Sequence, residues 1–208
     1  MRGVAFIGGE GPPQELSRSL VNKGDLVVAA DSGLTALEEA GLTPHWIVGD
    51  MDSLDDENRL SKYPMEIIIR FPHDKDFSDT EIALDLLWKK DCNEAWIIGG
   101  GGGRLDHLLA IRSLFERDPA PDRWISARED VWHIKGEKTF IAKPNSRVSV
   151  FPLGNGPWEA ESTGLEWPLS GLPWDRGYFG LSNRTITGEW TIKSRQGRFL
   201  VVLPIASI

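Results

Sequence analysis

Residues 47–54, IVGDMDSL, end an apolar run at a glycine and set two carboxylates one residue apart. In an extended chain alternate side chains share a face, so Asp50 and Asp52 project together while Met51 turns away. Two like charges held that close need an answering charge. A divalent cation supplies one, since Mg²⁺ is commonly held by one or two carboxylates together with phosphate oxygens and water. A solvated turn, with Ser53 capping a following helix, is the plainer alternative.

Three further stretches carry chemistry-bearing residues. DKDFSDTEIALDLL places acids and Lys75 ahead of a helix whose apolar face includes Ile82, Leu86 and Leu87. Ser78 and Glu81 have capping-box spacing, so Ser78 is credited first with a cap. Asp79 falls near the positive end of that helix, either complementing its dipole or facing the same metal and phosphate centre. In IIGGGGGRLDHLLAI five consecutive glycines follow a strand and precede a helix. Without Cβ atoms, the N–H groups of residues such as Gly101, Gly102 and Gly103 are open to a phosphate. Arg104 adds a guanidinium suited to two-point phosphate contact. His107 is open to a capping or packing role as much as to a functional one. Neither GxGxxG nor GxxxxGK[ST] is a specific signal here. In STGLEWPLSGLPWDRGYFGLSN, Trp167, Trp174, Tyr178 and Phe179 form either an aromatic platform or core, and Ser182 and Asn183 fit a turn equally well.

These residues need a scaffold, and the first half of the chain offers one. GVAFIGG, DLVVAAD, HWIVGD, EIIIRF and EAWIIGG are compact β-rich runs bounded by Gly, Asp or Pro. PQELSRSLVNKG, LTALEEAG and SDTEIALDLLWKKD have helical apolar spacing between them. Alternation of this kind predicts a parallel sheet built from βαβ units, whose ligands gather outside the carboxyl ends of the strands. Those ends read GGEG, ADSG, GDMDS, PHDKD and GGGGGRLD. Beyond residue 125 come only short alternating or aromatic runs punctuated by Gly, Pro and Asn, predicting an all-β region. FERDPAPDR reads as the connector. The expected division is 1–125, an α/β domain, and 126–208, a β domain.

Composition narrows the function classes. The 208 residues are 40% hydrophobic and 26% charged, as in an ordinary globular protein. A formal charge of -8 argues against a nucleic-acid partner and against an anionic membrane surface. Cys92 is the only cysteine, which excludes an intramolecular disulfide framework and a cysteine-rich zinc site and fits a reducing compartment. The opening apolar run is too short for a secretory signal, so a cytoplasmic location is expected.

The ordered series ADSG, GDMDSL, DKDFSDTEIAL, GGGGGRLDH and STGLEWPL…GLSN resembles the thiamine pyrophosphokinase family from about residue 27 to the C-terminus. The resemblance implies a Rossmann-like N-terminal α/β domain, a C-terminal β-sandwich and a homodimer with thiamine bound near the subunit interface. It implies transfer of a pyrophosphoryl group from ATP to the thiamine hydroxyl, with Mg²⁺ and release of AMP. By motif, Asp31, Asp50, Asp52 and Asp79 fall at the acidic, metal-supporting centre, and Arg104 and Asp106 at the phosphate signature. Trp167 and the Ser182-Asn183 pair fall in the thiamine segment. Asp106 and Asp79 are both candidates to accept the hydroxyl proton. The chain departs from the family pattern at Ser32, where a second Gly is common, at Ser78, where Thr is usual, and at Ile111, where an Asn often stands. A pyrophosphokinase for another alcohol, such as a hydroxymethylpterin, and a non-catalytic thiamine or nucleotide sensor are the alternatives.

Overall fold

The computed structural model describes residues 1–51 and 57–205, which form two compact units, Met1–Ala127 and Arg128–Ile208. In the first unit the five apolar runs become strands β1 (Arg2–Phe6), β2 (Leu26–Ala30), β3 (Trp46–Gly49), β4 (Ile68–Arg70) and β5 (Glu94–Ile98). A sixth, β6 (Arg123–Ile125), pairs with β5. Within this unit the strand order is β4-β3-β2-β1-β5-β6, and each pairing is parallel. Helices α1 (Gln14–Leu20), α2 (Gly33–Glu39), α3 (Asp79–Lys89) and α4 (Leu105–Leu114) connect them. FERDPAPDR joins α4 to β6 inside the first unit.

Strands β1, β2, β3 and β5 are buried with little alternation, as a parallel sheet covered by helices requires: Val4, Ala5, Phe6, Val28, Ala29, Ile47 and Ile97 are all inaccessible. Leu34, Leu37, Leu84 and Leu87 complete that core from α2 and α3. The glycine of ADSG is there for space. A Cβ on Gly33 would come within 2.2 Å of the Phe6 carbonyl oxygen, so only glycine lets α2 start hard against β1. Gly8, likewise, lacks the Cβ that would collide with Ser32 Oγ, which accommodates the serine departure in the same motif.

The second unit contains β7 (Glu129–Ile134), β8 (Glu137–Ile141), β9 (Arg147–Leu153), β10 (Glu159–Thr163), β11 (Gly180–Arg184), β12 (Glu189–Gln196) and β13 (Arg198–Pro204). They form two antiparallel arrays, β11-β9-β13-β7 and β10-β12-β8. Val148, Val150, Phe199 and Val201 from one array share a core with Phe140, Ala160, Trp190 and Ile192 from the other. Trp190 lies stacked on Phe140 with centroids 4.6 Å apart. Trp174 packs edge-on against Phe199 and belongs to this core rather than to an aromatic platform. β11 is the outer strand of its array, and its pairing with β9 shifts register between Gly180 and Asn183. The chain is therefore a mixed α/β protein, parallel in its first unit and antiparallel in its second. No helix among the described residues is long and apolar enough to cross a membrane.

Helix α3 begins as its sequence specifies. Ser78 Oγ accepts from the Glu81 N–H at 3.3 Å, and the Ser78 N–H donates to Glu81 Oε2 at 2.8 Å, a complete capping box. Burial opposes ionisation of Glu81, but its bonds from Ser78 and its ion pair with Arg117 prevail and hold the carboxyl below its ordinary 4.5. A depressed carboxyl stabilises the fold above its unfolded pKa and loses that contribution as pH falls through the folded value. Ser78→Ala should accordingly cost about 1 kcal/mol in urea unfolding at pH 7, and the difference should shrink as the pH falls below 4.5. A loss that is constant from pH 7 to pH 3 would show that the box has no ionic half.

Candidate active site

The carboxyl ends of β2 and β3 and the amino end of α3 converge on one group of acids. Asp31 follows β2, and its N–H donates to the Val48 carbonyl at 2.9 Å, extending the β2–β3 ladder by one bond. Asp50 follows β3, and Asp79 is the first residue of α3. Ligand oxygens from Asp31, Asp50 and Asp79 all lie within 4.8 Å of one another. Gly49 sits in their midst at φ +139, where a Cβ would meet Asp79 Oδ1 at 3.0 Å and Asp31 Cβ at 3.2 Å. Asp31 and Met51 hold left-handed backbone, at φ 50 and 68, which is costly for residues with a side chain and concentrates at functional sites. Asp52 and Ser53 lie outside the described residues.

Lys75 joins this group from the loop ahead of α3. Its Nζ donates to Asp50 Oδ2 at 2.6 Å and lies 3.2 Å from Asp79 Oδ1, with the side chain only 12% exposed. Burial works against the ammonium, yet the two carboxylates raise its pKa above the ordinary value of 10.5. Burial also raises Asp79, and the neighbouring Asp50 and Asp31 charges add to the rise, outweighing Lys75. The acid group thus contains a residue that spacing alone left unassigned. Its signal was present: Lys75 stands four residues before Asp79 and carries the one positive charge in DKDFSD.

The donor set suits a hard divalent cation. Three carboxylates supply oxygen ligands, and Asp31, 7% exposed, has an Oδ1 that is buried with no hydrogen-bond partner. An unpartnered buried carboxylate oxygen is expensive unless something positive meets it.

The glycine run behaves differently from its simplest reading. The N–H groups of Gly99, Gly100 and Gly101 donate to the carbonyls of Ile125, Gly8 and Glu10 at 2.9–3.0 Å. Gly101 therefore has no N–H left for a phosphate. Its contribution is the close backbone pairing with Glu10, where a Cβ would strike the Glu10 carbonyl at 2.5 Å. Gly102 and Gly103, both left-handed, have N–H groups without a partner among the described residues. This run and the end of β1 flank the point where the strand order reverses, the usual ligand crevice of an open parallel sheet. Ile111, in place of a polar residue, packs its Cδ1 where a Gly100 Cβ would be, 2.5 Å away, so an apolar contact replaces whatever an amide would make.

Arg104 and Asp106 are not part of the acid group's contacts. Arg104 Nε donates to Asp106 Oδ1 at 3.1 Å, and both side chains are well exposed. Their bond lowers the Asp106 pKa and raises that of Arg104. Such an exposed pair is worth little, so the guanidinium can be exchanged to a phosphate at small cost.

In the second unit Trp167 is 55% exposed. Asn183, by contrast, is buried, and its amide is spent on the protein: Nδ2 donates to the Trp167 carbonyl at 2.6 Å, while Oδ1 accepts from the N–H groups of Trp167 and Arg184. Asn183 is thus a holder of Trp167 rather than an open ligand group. Ser182, left-handed at φ 60, is exposed at the register shift, with its N–H on Ser149 Oγ.

Raised above its ordinary 3.8, the Asp79 carboxyl disfavours the native state as pH climbs through its folded pKa. In metal-free protein at pH 8, Asp79→Asn should therefore raise the thermal midpoint and converge with wild type below pH 4. A lower midpoint for Asp79→Asn in chelator at pH 8 would contradict the repulsion inferred here.

Residues 17–120, half of the chain, match the family model described as thiamin pyrophosphokinase, catalytic domain. A thiamine pyrophosphokinase of Bacillus subtilis is 27% identical over 202 residues, covering 92% of this chain and 94% of the relative. The crystal structure of the thiamin pyrophosphokinase from Geobacillus thermodenitrificans superposes with a TM-score of 0.79 at 26% identity, covering 98% of this chain and 97% of that one. The Candida albicans thiamin pyrophosphokinase, at 17% identity and a TM-score of 0.74, shares the fold over 98% of this chain and 88% of its own. With the family model matching half of the chain and the fold shared over nearly all of it, the chain belongs to the thiamin pyrophosphokinase family.

Proposed function

We propose that the Asp31, Asp50 and Asp79 cluster is where this chain transfers the pyrophosphoryl group of ATP to the hydroxyl of thiamine, giving thiamine diphosphate and AMP. The observation that carries the assignment is the meeting of three carboxylates within 4.8 Å, one of them with a buried, unpartnered oxygen, at the carboxyl ends of a parallel sheet. Asp31, Asp50 and Asp79 would hold Mg²⁺, and Asp52, next but one to Asp50, is assigned to the same centre. When bound, the ion offsets the phosphate charge and stabilises the charge that develops on departing AMP.

The chain's own residues do the positioning on which phosphoryl transfer chiefly depends. Gly102 and Gly103 offer N–H donors to phosphate oxygens, and Arg104 leaves Asp106 to clasp one by its planar fork. Gly101 sets the course of the loop. Released from Arg104, Asp106 is one acceptor for the hydroxyl proton; Asp79, whose pKa is raised, is the other. We read the first unit as Rossmann-like, the ATP and metal domain, and the second as a β-sandwich for thiamine binding and dimerisation. Exposed Trp167, Phe179, Leu181 and Ile186 on the second unit support a homodimer, being apolar surface of the kind a partner copy covers. Trp167 offers its ring face to the cationic acceptor, held in place by Asn183 and flanked by Ser182. Cytoplasmic residence, where ATP and Mg²⁺ are available, fits this chemistry.

The test is incubation with ATP, Mg²⁺ and thiamine, following AMP and thiamine diphosphate by mass spectrometry. Chelation should abolish turnover and Mg²⁺ restore it, and Asp50→Asn should lower kcat at least roughly tenfold, about 1.4 kcal/mol of barrier, with the fold intact by circular dichroism. Full activity of Asp50→Asn would remove the acids from the reaction. Separately, Trp167→Ala should raise the KM for thiamine roughly two- to thirtyfold while moving the ATP constant much less, the scale of a lost cation–π contact. Unchanged thiamine kinetics in a folded Trp167→Ala protein would send the acceptor elsewhere.

A further inference from the structure

Lys75 occupies the place among the acids that a cation is needed to fill. Its ammonium is 2.6 Å from Asp50 and 3.2 Å from Asp79, two of the three carboxylates whose oxygens lie within 4.8 Å of one another. A divalent ion drawing on those same oxygens would stand within a few ångströms of the ammonium. In a partly buried site the repulsion between them is strong, because little solvent screens it. Both cannot keep Asp50. Lys75 is also built to move: it lies in the loop ahead of α3, outside any helix or strand, on a flexible four-carbon stem.

We propose that Lys75 is a displaceable internal counter-ion, which holds the acid cluster together in the metal-free protein and competes with the metal for Asp50 until nucleotide arrives. The inference rests on the assignment of the metal centre to Asp31, Asp50 and Asp79. ATP resolves the competition, because its phosphates give the displaced ammonium a new anionic partner. Metal and nucleotide then bind with positive coupling, each favouring the state the other needs. Divalent ions alone are held weakly, so the acids are not occupied until the co-substrate is present. Lys75 is on this account a positioning residue in the resting protein and a phosphate contact in the loaded one.

Mn²⁺ binding to the protein without nucleotide, followed by the electron paramagnetic resonance of free Mn²⁺, separates this role from a merely structural one. Lys75→Gln removes the competitor and should bind Mn²⁺ at least about tenfold tighter than wild type. In chelator its thermal midpoint should fall, and in turnover its KM for ATP should rise. Lys75→Arg keeps a charge, in a fork that grips carboxylates more firmly, and should bind Mn²⁺ more weakly than wild type. A folded Lys75→Gln protein whose Mn²⁺ affinity is equal to or below that of wild type overturns the proposal. If Lys75→Gln does not fold, Mn²⁺ affinity in Lys75→Arg equal to or above that of wild type overturns it. Asp50→Asn is the control for the underlying assignment. In the Lys75→Gln background, Asp50→Asn should abolish the tighter binding. Unaltered Mn²⁺ affinity on that change would mean that the metal centre itself is misplaced, whereas loss there alongside unresponsive Lys75 variants would refute only the counter-ion.

Discussion

Like charges gathered out of water repel, and the first unit is organised around sustaining three of them. Neighbouring parallel strands fix Asp31 beside Asp50, since one ladder bond from the Asp31 N–H to Val48 ties the end of β2 to β3. The capping box fixes the start of α3 and so brings Asp79 to the same spot. Each of these devices is ordinary. Together they impose a high charge density, beside left-handed backbone at Asp31 and Met51 and with the ammonium of Lys75 pressed against the acids. An arrangement that costs stability in the empty protein is the usual mark of a site built for a ligand.

Space is managed as tightly as charge. Gly33 lets a helix start against a carbonyl, Gly49 leaves room between Asp31 and Asp79, and Gly100 yields its Cβ position to Ile111. These contacts explain why glycine marks the strand ends: there the backbone must come close, and the absence of a side chain is the structural contribution. They also explain how this chain carries its departures from the family pattern. Ser32 fits because Gly8 is opposite it, and Ile111 exchanges a polar contact for an apolar one.

Much of this was legible in the sequence because strong local signals agreed with the tertiary structure. Continuous apolar runs became parallel strands, Ser78 and Glu81 formed their box, and the carboxyl ends carried the chemistry. What escaped was set by partners distant in sequence. The three residues of β6 are too few for any periodicity, and they follow a proline-rich stretch that resembles a linker. The donors of Gly99 to Gly101 looked open until strand ends on other segments claimed them. Asn183 looked like a ligand group, yet its amide serves the backbone sixteen residues away. Lys75 was visible but its partner Asp50 lies 25 positions earlier, and only the parallel sheet brings them together.

The register shift in β11 bears on how the protein survives at high concentration. An outermost strand presents unpaired N–H and carbonyl groups in a row, a template on which another chain can add a strand. Here Ser182, left-handed within the shift, turns that row out of line, and the exposed Leu181 beside it is denied the flat backbone that would convert a sticky side chain into a growing sheet. The irregularity that gives this segment its shape thereby guards against polymerisation, leaving side-chain packing, which is specific and finite, as what this edge offers another chain.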